Sequence, residues 1–318
     1  MKNTIKHDQL LAQLKIPAMQ APMFLISGPK MVIGACKSGV IGCFPAPNAR
    51  TIETLDQWMA EITESLAGNE QAAPWAMNMI LHPTYPRRAQ ELELILKYKP
   101  PIVVTALGNP AAIIEQIHSY GGIVLADVIS PRFAKKAASA GVDGLVLVCA
   151  GAGGHTGYLS PFVFINEVRQ WWDGLLAVGG GISSGSDVHA VQTMGADIAY
   201  IGTRFIATQE SMCQVEYKQM IVDSSADDIV PSDAITGVTA NWMRQSLINA
   251  GYDPENMPGK GLIDFAQNGA DNKRWQDIWA AGQGVGATDE VNTITELVAS
   301  LDQEYRHSVA HMLKLTNR

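Results

Sequence analysis

One unit recurs from residue 16 to about residue 205 and constrains the fold more than any other feature. It is a short apolar, β-rich run, a break of Gly, Pro or Asn, and then an amphipathic helix. Eight runs fit the strand half: IPAMQAP (16–22), VIGCFPA (40–46), WAMNMI (75–80), IVVTAL (102–107), GIVLAD (122–127), GLVLVC (144–149), LLAVGG (175–180) and IAYIGT (198–203). Helix candidates lie between them, among them 51–67, 86–98 and 131–140. In ASAGVDGLVL and QTMGADIAYIG a helix ends in glycine just before the next strand, where glycine supplies a left-handed stop. The apolar runs that follow lack polar alternation, as parallel strands buried on both faces do. Eight strands alternating with helices are the count of an α/β (β/α)8 TIM barrel, and the spacing is too irregular for a solenoid.

After Arg204 the pattern changes. Residues 208–300 read as mostly helical, with breaks at DPENMPGKG (253–261) and GQGVG (282–286), and a closing helix is expected near 288–306. The expected organisation is a barrel from residues 1–207 plus about 288–318, with a helical lid subdomain over about 208–287. A chain of 318 residues, 47% hydrophobic and 17% charged, is long enough for one such domain with a lid.

The net charge of −8 argues against nucleic acid as a partner, which calls for a basic face. Cys36, Cys43, Cys149 and Cys213 show no metal-ligand or disulfide spacing, so no metal is expected. The first sixteen residues lack the apolar core of a signal peptide, and no run reaches membrane-spanning length. The expectation is a soluble cytoplasmic protein, with assembly as a homodimer left open.

In a (β/α)8 barrel the loops after the strands carry the chemistry. Here the strand ends hold Ala21, Pro22 and Met23, then Asn78, Thr105, Asp127, Gly151 to Gly157, Gly179 to Gly181, and Gly202 with Thr203. Ordinary turn chemistry explains any one of these but explains the whole set poorly. Glycines ending the seventh and eighth strands point to a phosphate, because loops after these strands often bind one and glycine lets backbone N–H groups approach it. Ser183, Ser184 and Ser186 fit as helix caps or phosphate donors, and Thr203 and Arg204 offer a hydroxyl and a charge. Asp127 is the one strand-end acid, either a partner for a cofactor hydroxyl or a cap for the helix starting at Pro131.

His155 is the one histidine at a strand end within a run of glycines. An imidazole is well matched at neutral pH for removing a proton beside an electron-withdrawing group. The plainer alternative is a ring that only caps its loop. His82, after the third strand, is a weaker candidate; the others are terminal or on helix faces. No G-x-S-x-G elbow and no paired strand-end carboxylates are present. Met23, Phe24, Trp242, Trp275 and Trp279 are candidates for an apolar wall over a flat ring, or else plain core.

Five motifs in order, QAPMF (20–24), GAGGHTG (151–157), VGGGIS (178–183), GADIAYIGTRF (195–205) and WAAGQGVG (279–286), resemble those of the nitronate monooxygenases, formerly 2-nitropropane dioxygenases. The resemblance implies a TIM barrel that binds FMN non-covalently. It gives His155 the role of taking the α-proton of a nitroalkane or hydrogen-bonding the bound nitronate. The flavin then oxidises the nitronate and passes electrons to dioxygen, giving a carbonyl compound and nitrite. Strand-end position and resemblance together make Ala21, Pro22, Met23, Phe24, Asn78, Thr105, Asp127, Gly153, Gly154, Gly179, Gly180, Gly181, Gly202 and Thr203 the expected cofactor contacts.

The sequence departs from many relatives at three places. It has GAGGH where they have EAGGH, PMFL where they have PMAG, and Asp127 where they carry lysine. The last bears on flavin tuning, since a lysine would stabilise anionic reduced flavin and an aspartate would not. Two alternatives share the barrel: an NAD(P)H-dependent flavin reductase of the enoyl-acyl-carrier-protein reductase or quinone reductase type, and a non-catalytic flavin-binding protein. An IMP dehydrogenase-type site would need a cysteine after the sixth strand, and Cys149 lies too early.

Overall fold

The computed structural model describes residues 2–259 and 278–316. Every apolar run becomes a strand: β1 (Ala18–Gln20), β2 (Gly42–Pro45), β3 (Trp75–Ile80), β4 (Ile102–Ala106), β5 (Ile123–Val128) and β6 (Gly144–Val148). A two-residue β7 (Gly154–His155) then intervenes before β8 (Leu175–Gly179) and β9 (Ile198–Ile201). Setting β7 aside, the eight are parallel and ordered β1-β9-β8-β6-β5-β4-β3-β2. The ring closes where Gln20 N–H donates to the Ile41 carbonyl at 2.8 Å and Ile41 N–H to the Ala18 carbonyl at 3.1 Å. The fold is the expected (β/α)8 barrel.

Side-chain parity divides the core in two. Met19, Ile41, Cys43, Ala76, Ile102, Val104, Leu125, Val146, Ala177 and Ile198 share one buried cluster inside the barrel, and Leu10 of α1 (Lys2–Leu11) packs on it. The opposite parity, including Met77, Val103, Val124, Leu147 and Val178, packs outward against the helices. Following the inward parity to the strand ends places Asn78, Asp127 and Tyr200 in the last layer beneath the barrel mouth. A polar layer above an apolar one is where a barrel stops being core and becomes site.

The helices around the barrel include α2 (Pro29–Ser38), α3 (Ile52–Leu66), α4 (Arg88–Tyr98), α5 (Ile114–Ser119), α6 (Pro131–Ser139), α7 (Pro161–Arg169), α8 (Gly185–Thr193) and the short α9 (Thr203–Ile206). Gly141 and Gly195, the two expected stops, hold φ of +95° and +108°. That is the left-handed conformation glycine adopts without Cβ strain.

The segment after the barrel differs from the helical expectation. It holds α10 (Val215–Val222) and α11 (Arg244–Asn249), but also β10 (Ile229–Ser232) and β11 (Ala240–Met243), paired antiparallel. β11 pairs on its other side with β7, making a three-stranded sheet. Pro231 within β10 and the seven residues separating the two strands blur the hairpin signal. β11 is fixed by a partner some eighty residues earlier, which no local pattern encodes. Val230, Ile235, Ala240, Trp242, Leu247 and Ile278 give this unit its own core.

The closing helix α12 (Ile294–Thr316) begins later than the expected 288–306. Thr293 and Glu296 cap each other reciprocally and set its start: Glu296 N–H donates to Thr293 Oγ1 at 3.2 Å and Thr293 N–H to the Glu296 carboxylate at 2.9 Å. It returns to pack on α8 and α2. Among the described residues no helix is long and apolar enough to cross a membrane.

Candidate active site

The loops at the carboxyl ends of the strands surround one cavity of about 1410 Å³. All fourteen expected cofactor contacts line it, from Ala21 to Thr203, and so does His155. Residues spread over most of the chain therefore meet at one mouth.

The glycine loop after β8 is built for close approach. Gly180 and Gly181 have φ of +136° and +74°, and a Cβ added at Gly181 would meet no atom within 4 Å. Open space above a backbone that only glycine holds without strain is the form of an anion cradle. Gly151 packs against its back: a Cβ there would lie 2.8 Å from the Gly181 nitrogen. The glutamate that many relatives carry at this position has no room here unless the two loops part.

Near the cradle the helix-cap reading of the serines holds for Ser184, and Arg204 does not face the cavity. Ser184 caps α8, accepting from Asp187 N–H at 3.1 Å, and the Asp187 carboxylate accepts from the N–H groups of Ser183 and Ser184 at 2.9 Å each. Glu304 accepts from Gly185 N–H at 2.7 Å. The first turn of α8 thus spends its donors on the chain's own carboxylates, and Ser183, Ser184 and Ser186 do not line the cavity. Arg204 also turns away, donating to the Ala287 carbonyl. The backbone of Gly180 and Gly181 lines the cavity instead, as do Gly202 and Thr203. The Thr203 hydroxyl accepts from Gly282 N–H at 2.8 Å, which ties the loop around residues 279–284 over the site.

His155 sits in β7, held by the added segment. Ala240 pairs with it across the strands, and Asn241 Nδ2 donates to the carbonyls of Ala150 and Ala152 at 3.1 and 2.7 Å. Thr156 N–H donates to the Thr239 carbonyl at 3.1 Å. His155 Nε2 lies 3.3 Å from Thr236 Oγ1, whose own proton goes to the Val238 carbonyl at 3.0 Å. With that proton committed, the Thr236 oxygen is placed to accept from a ring N–H at Nε2. Crowding by the surrounding protein lowers its pKa below the ordinary 6.5 and keeps the ring neutral at pH 7. The ring is therefore held in one orientation at the cavity wall.

The cavity floor is polar and undersatisfied. Asp127 Oδ2 accepts from Asn78 Nδ2 at 3.5 Å, while the buried Asp127 Oδ1 and Tyr200 hydroxyl have no partner among the described residues. Burial pushes the Asp127 carboxyl up to about 7. Ser130, not Asp127, caps α6, accepting from Phe133 N–H at 3.4 Å. Orphaned polar atoms under a cavity are what a polar ring edge would satisfy. Thr105 contributes less than expected, because its hydroxyl donates to the Leu125 carbonyl at 3.0 Å.

The β1 loop is locked by Asn48, which accepts from Leu25 N–H at 2.8 Å and donates to the carbonyls of Met23 and Ser27 at 2.9 and 2.8 Å. Met23 and Phe24 are thereby presented to the cavity. Of the tryptophans, Trp279 lines it and stacks on Tyr217 with ring centroids 4.8 Å apart. Trp242 is core of the small sheet, and Trp275 lies outside the described residues. His82 also lines the cavity, its Nδ1 2.8 Å from Thr84 Oγ1.

Sequence reasoning missed Asn48, Thr236, Asn241 and Tyr217. Their signal is purely tertiary, apart from the glycine run at 282–286, whose tight fit on Thr203 and Gly151 explains its composition. Among the described lining residues Arg50, Arg87 and Lys136 are cationic and Asp127 is the one carboxylate, an inversion of the chain's acidic balance.

The nitronate monooxygenase family model matches residues 71–304. A nitronate monooxygenase of Paraburkholderia phytofirmans is 25% identical over 95% of each chain. Among solved structures, a nitroalkane oxidase of Streptomyces ansochromogenes superposes with a TM-score of 0.80 at 22% identity, covering 95% of this chain and 99% of that one. FabK of Thermotoga maritima superposes with a TM-score of 0.79 at 22% identity, covering 96% and 97%. At that identity the structural likenesses establish the fold.

Proposed function

The chain belongs to the nitronate monooxygenase family and is a flavin-dependent oxidoreductase, and from that premise we propose that it uses FMN to oxidise alkyl nitronates with dioxygen, yielding a carbonyl compound and nitrite. The observation that carries the reading is His155, oriented by Thr236 and the β7–β11 pairing, over the same cavity as the Gly180–Gly181 cradle.

The roles follow from position. The backbone of Gly180, Gly181, Gly202 and Thr203 would hold the FMN phosphate, and Met23 and Phe24 would flank the ring. A mononucleotide fits because the cradle is one short loop and the first turn of α8 is already filled by Asp187 and Glu304. Asp127, Tyr200 and Asn78 would meet a polar ring edge. Bound flavin supplies the oxidation of the nitronate and the delivery of electrons to dioxygen.

His155 would take the α-proton when the substrate arrives as a neutral nitroalkane, and its lowered pKa keeps the ring neutral and able to do so at neutral pH. A nitronate is an anion, and the cationic lining favours its entry. The β10–β11 unit, paired with β7, would act as the lid, excluding water while holding His155 in register.

The test is oxygen consumption with nitrite release. Purified protein should carry FMN, released on denaturation and identified by mass, and should consume oxygen with propyl-2-nitronate. Protein that retains no flavin, or that carries it without oxygen uptake on any nitronate, would overturn the reading.

A further inference from the structure

Leu107 closes β4 in a conformation that its side chain disfavours. Its φ is +57°, the left-handed region in which the Cβ of an L-residue crowds the following carbonyl oxygen. Burial does not offset the cost, since Leu107 is 48% exposed and lines the cavity. The backbone is clamped there: a Cβ on the adjacent Gly108 would lie 2.4 Å from the Leu81 carbonyl oxygen, and Leu81 N–H donates to the Ala106 carbonyl at 2.9 Å. A strained, pinned loop that presents a hydrocarbon side chain to a cavity is a functional signature.

Two further large apolar side chains share this wall. Ile129, just beyond β5, and Phe133, in the first turn of α6, are 39% and 43% exposed, and both line the same cavity. Soluble surfaces scatter such residues singly, so three on adjacent loops around one opening form a patch with a purpose. The strand order sets β4 diametrically opposite β9, so the patch lies across the mouth from Gly202 and Thr203. The cavity, at about 1410 Å³, exceeds the roughly 300–1,000 Å³ usual for one small ligand.

We propose that Leu107, Ile129 and Phe133 form a hydrocarbon subsite that selects substrates with an anionic head and an apolar body of several carbons over two- and three-carbon compounds. Leu107 is the specificity-determining residue. The head-group part of this inference rests on the nitronate reading; the subsite itself does not.

The experiment pairs a reactive series with an inert one. In the purified holoprotein, kcat/KM is measured for straight-chain nitronates from nitroethane to nitrooctane. Dissociation constants for carboxylates from acetate to octanoate are measured by calorimetry. The expected result is a rise of roughly fourfold per methylene in both series over the first several carbons, the equivalent of about 0.8 kcal/mol each. Leu107→Asn keeps a residue that tolerates the left-handed backbone and removes the hydrocarbon, so it should flatten both slopes while retaining FMN.

Carboxylates that tighten with length alongside inert nitronates would keep the subsite and sink the nitronate reading. Flat series in the parent protein would overturn the subsite. So would a Leu107→Asn protein that loses FMN with its slopes unchanged, because the wall would then belong to the cofactor.

Discussion

Asp127 is the most quantitative handle on the site. Its carboxyl is held at about 7 rather than 3.8 by burial, with no cation among the described residues to offset the penalty. At about 1.36 kcal/mol per pH unit this corresponds to an upper bound of about 4 kcal/mol. The direction follows from proton binding. A carboxyl raised above its unfolded value binds more protons when folded, so its contribution to stability is fully present below about pH 4 and falls as pH rises to about 7. Above that both states are ionised and the loss is complete.

Asp127→Asn keeps the shape and removes the titration. Its stability relative to the parent should therefore grow between about pH 5 and pH 8, by up to about 2.5 kcal/mol of the bound and by roughly 1–2 kcal/mol once partial contact with water is allowed for. Urea denaturation of both flavin-free proteins across that range measures the difference directly. Two stability curves that stay parallel from pH 5 to pH 8 would refute the claim that Asp127 is an uncompensated buried acid at the barrel mouth. A gap that narrows with pH would refute its sign.

Three substitutions test the rest of the site. His155→Ala should retain FMN and lose about 10²–10⁴-fold in kcat/KM on neutral nitroalkanes, with a smaller loss on preformed nitronates; equal losses would mean positioning rather than proton transfer. In the parent protein the acidic limb of that pH profile, where activity is lost as His155 is protonated, should have its midpoint below 6.5, in line with the lowered pKa of His155. Gly181→Val places a branched residue at φ +74° and fills the open cradle, so FMN affinity measured by fluorescence should drop by at least about tenfold, or about 1.4 kcal/mol. Gly151→Ala puts a methyl 2.8 Å from the Gly181 nitrogen, so thermal stability and FMN retention should fall together; an unchanged protein would show that the loops are not packed as described.

The barrel was legible because its cause is local. Apolar runs without alternation, and glycines such as Gly141 and Gly195 that must turn left-handed, write the β-strand and helix boundaries into short windows. The candidate site was legible for a related reason: in this fold strand ends converge, so reading Asn78, Asp127, Gly180 and Gly202 at successive ends amounts to reading one cavity.

What stayed hidden depends on partners far apart in the chain. β11 takes its register from His155, Thr236 matters only by reaching that ring, and the choice between helix cap and phosphate donor for the serines after β8 turns on Asp187 and Glu304. A short window shows that Ser184 can cap a helix, but not that Glu304 arrives to use the next donor.

The central claim is that nitronate, rather than a nicotinamide, delivers electrons to a flavin in this cavity. It is tested most directly by anaerobic stopped-flow mixing of the holoprotein with propyl-2-nitronate and, separately, with NADH and NADPH, following flavin absorbance. Rapid spectral change is expected with the nitronate, reversed on admitting oxygen with release of nitrite, and no bleaching by either nicotinamide on that timescale. Fast bleaching by NADH or NADPH with a silent nitronate arm would contradict it and place the chain among the flavin reductases.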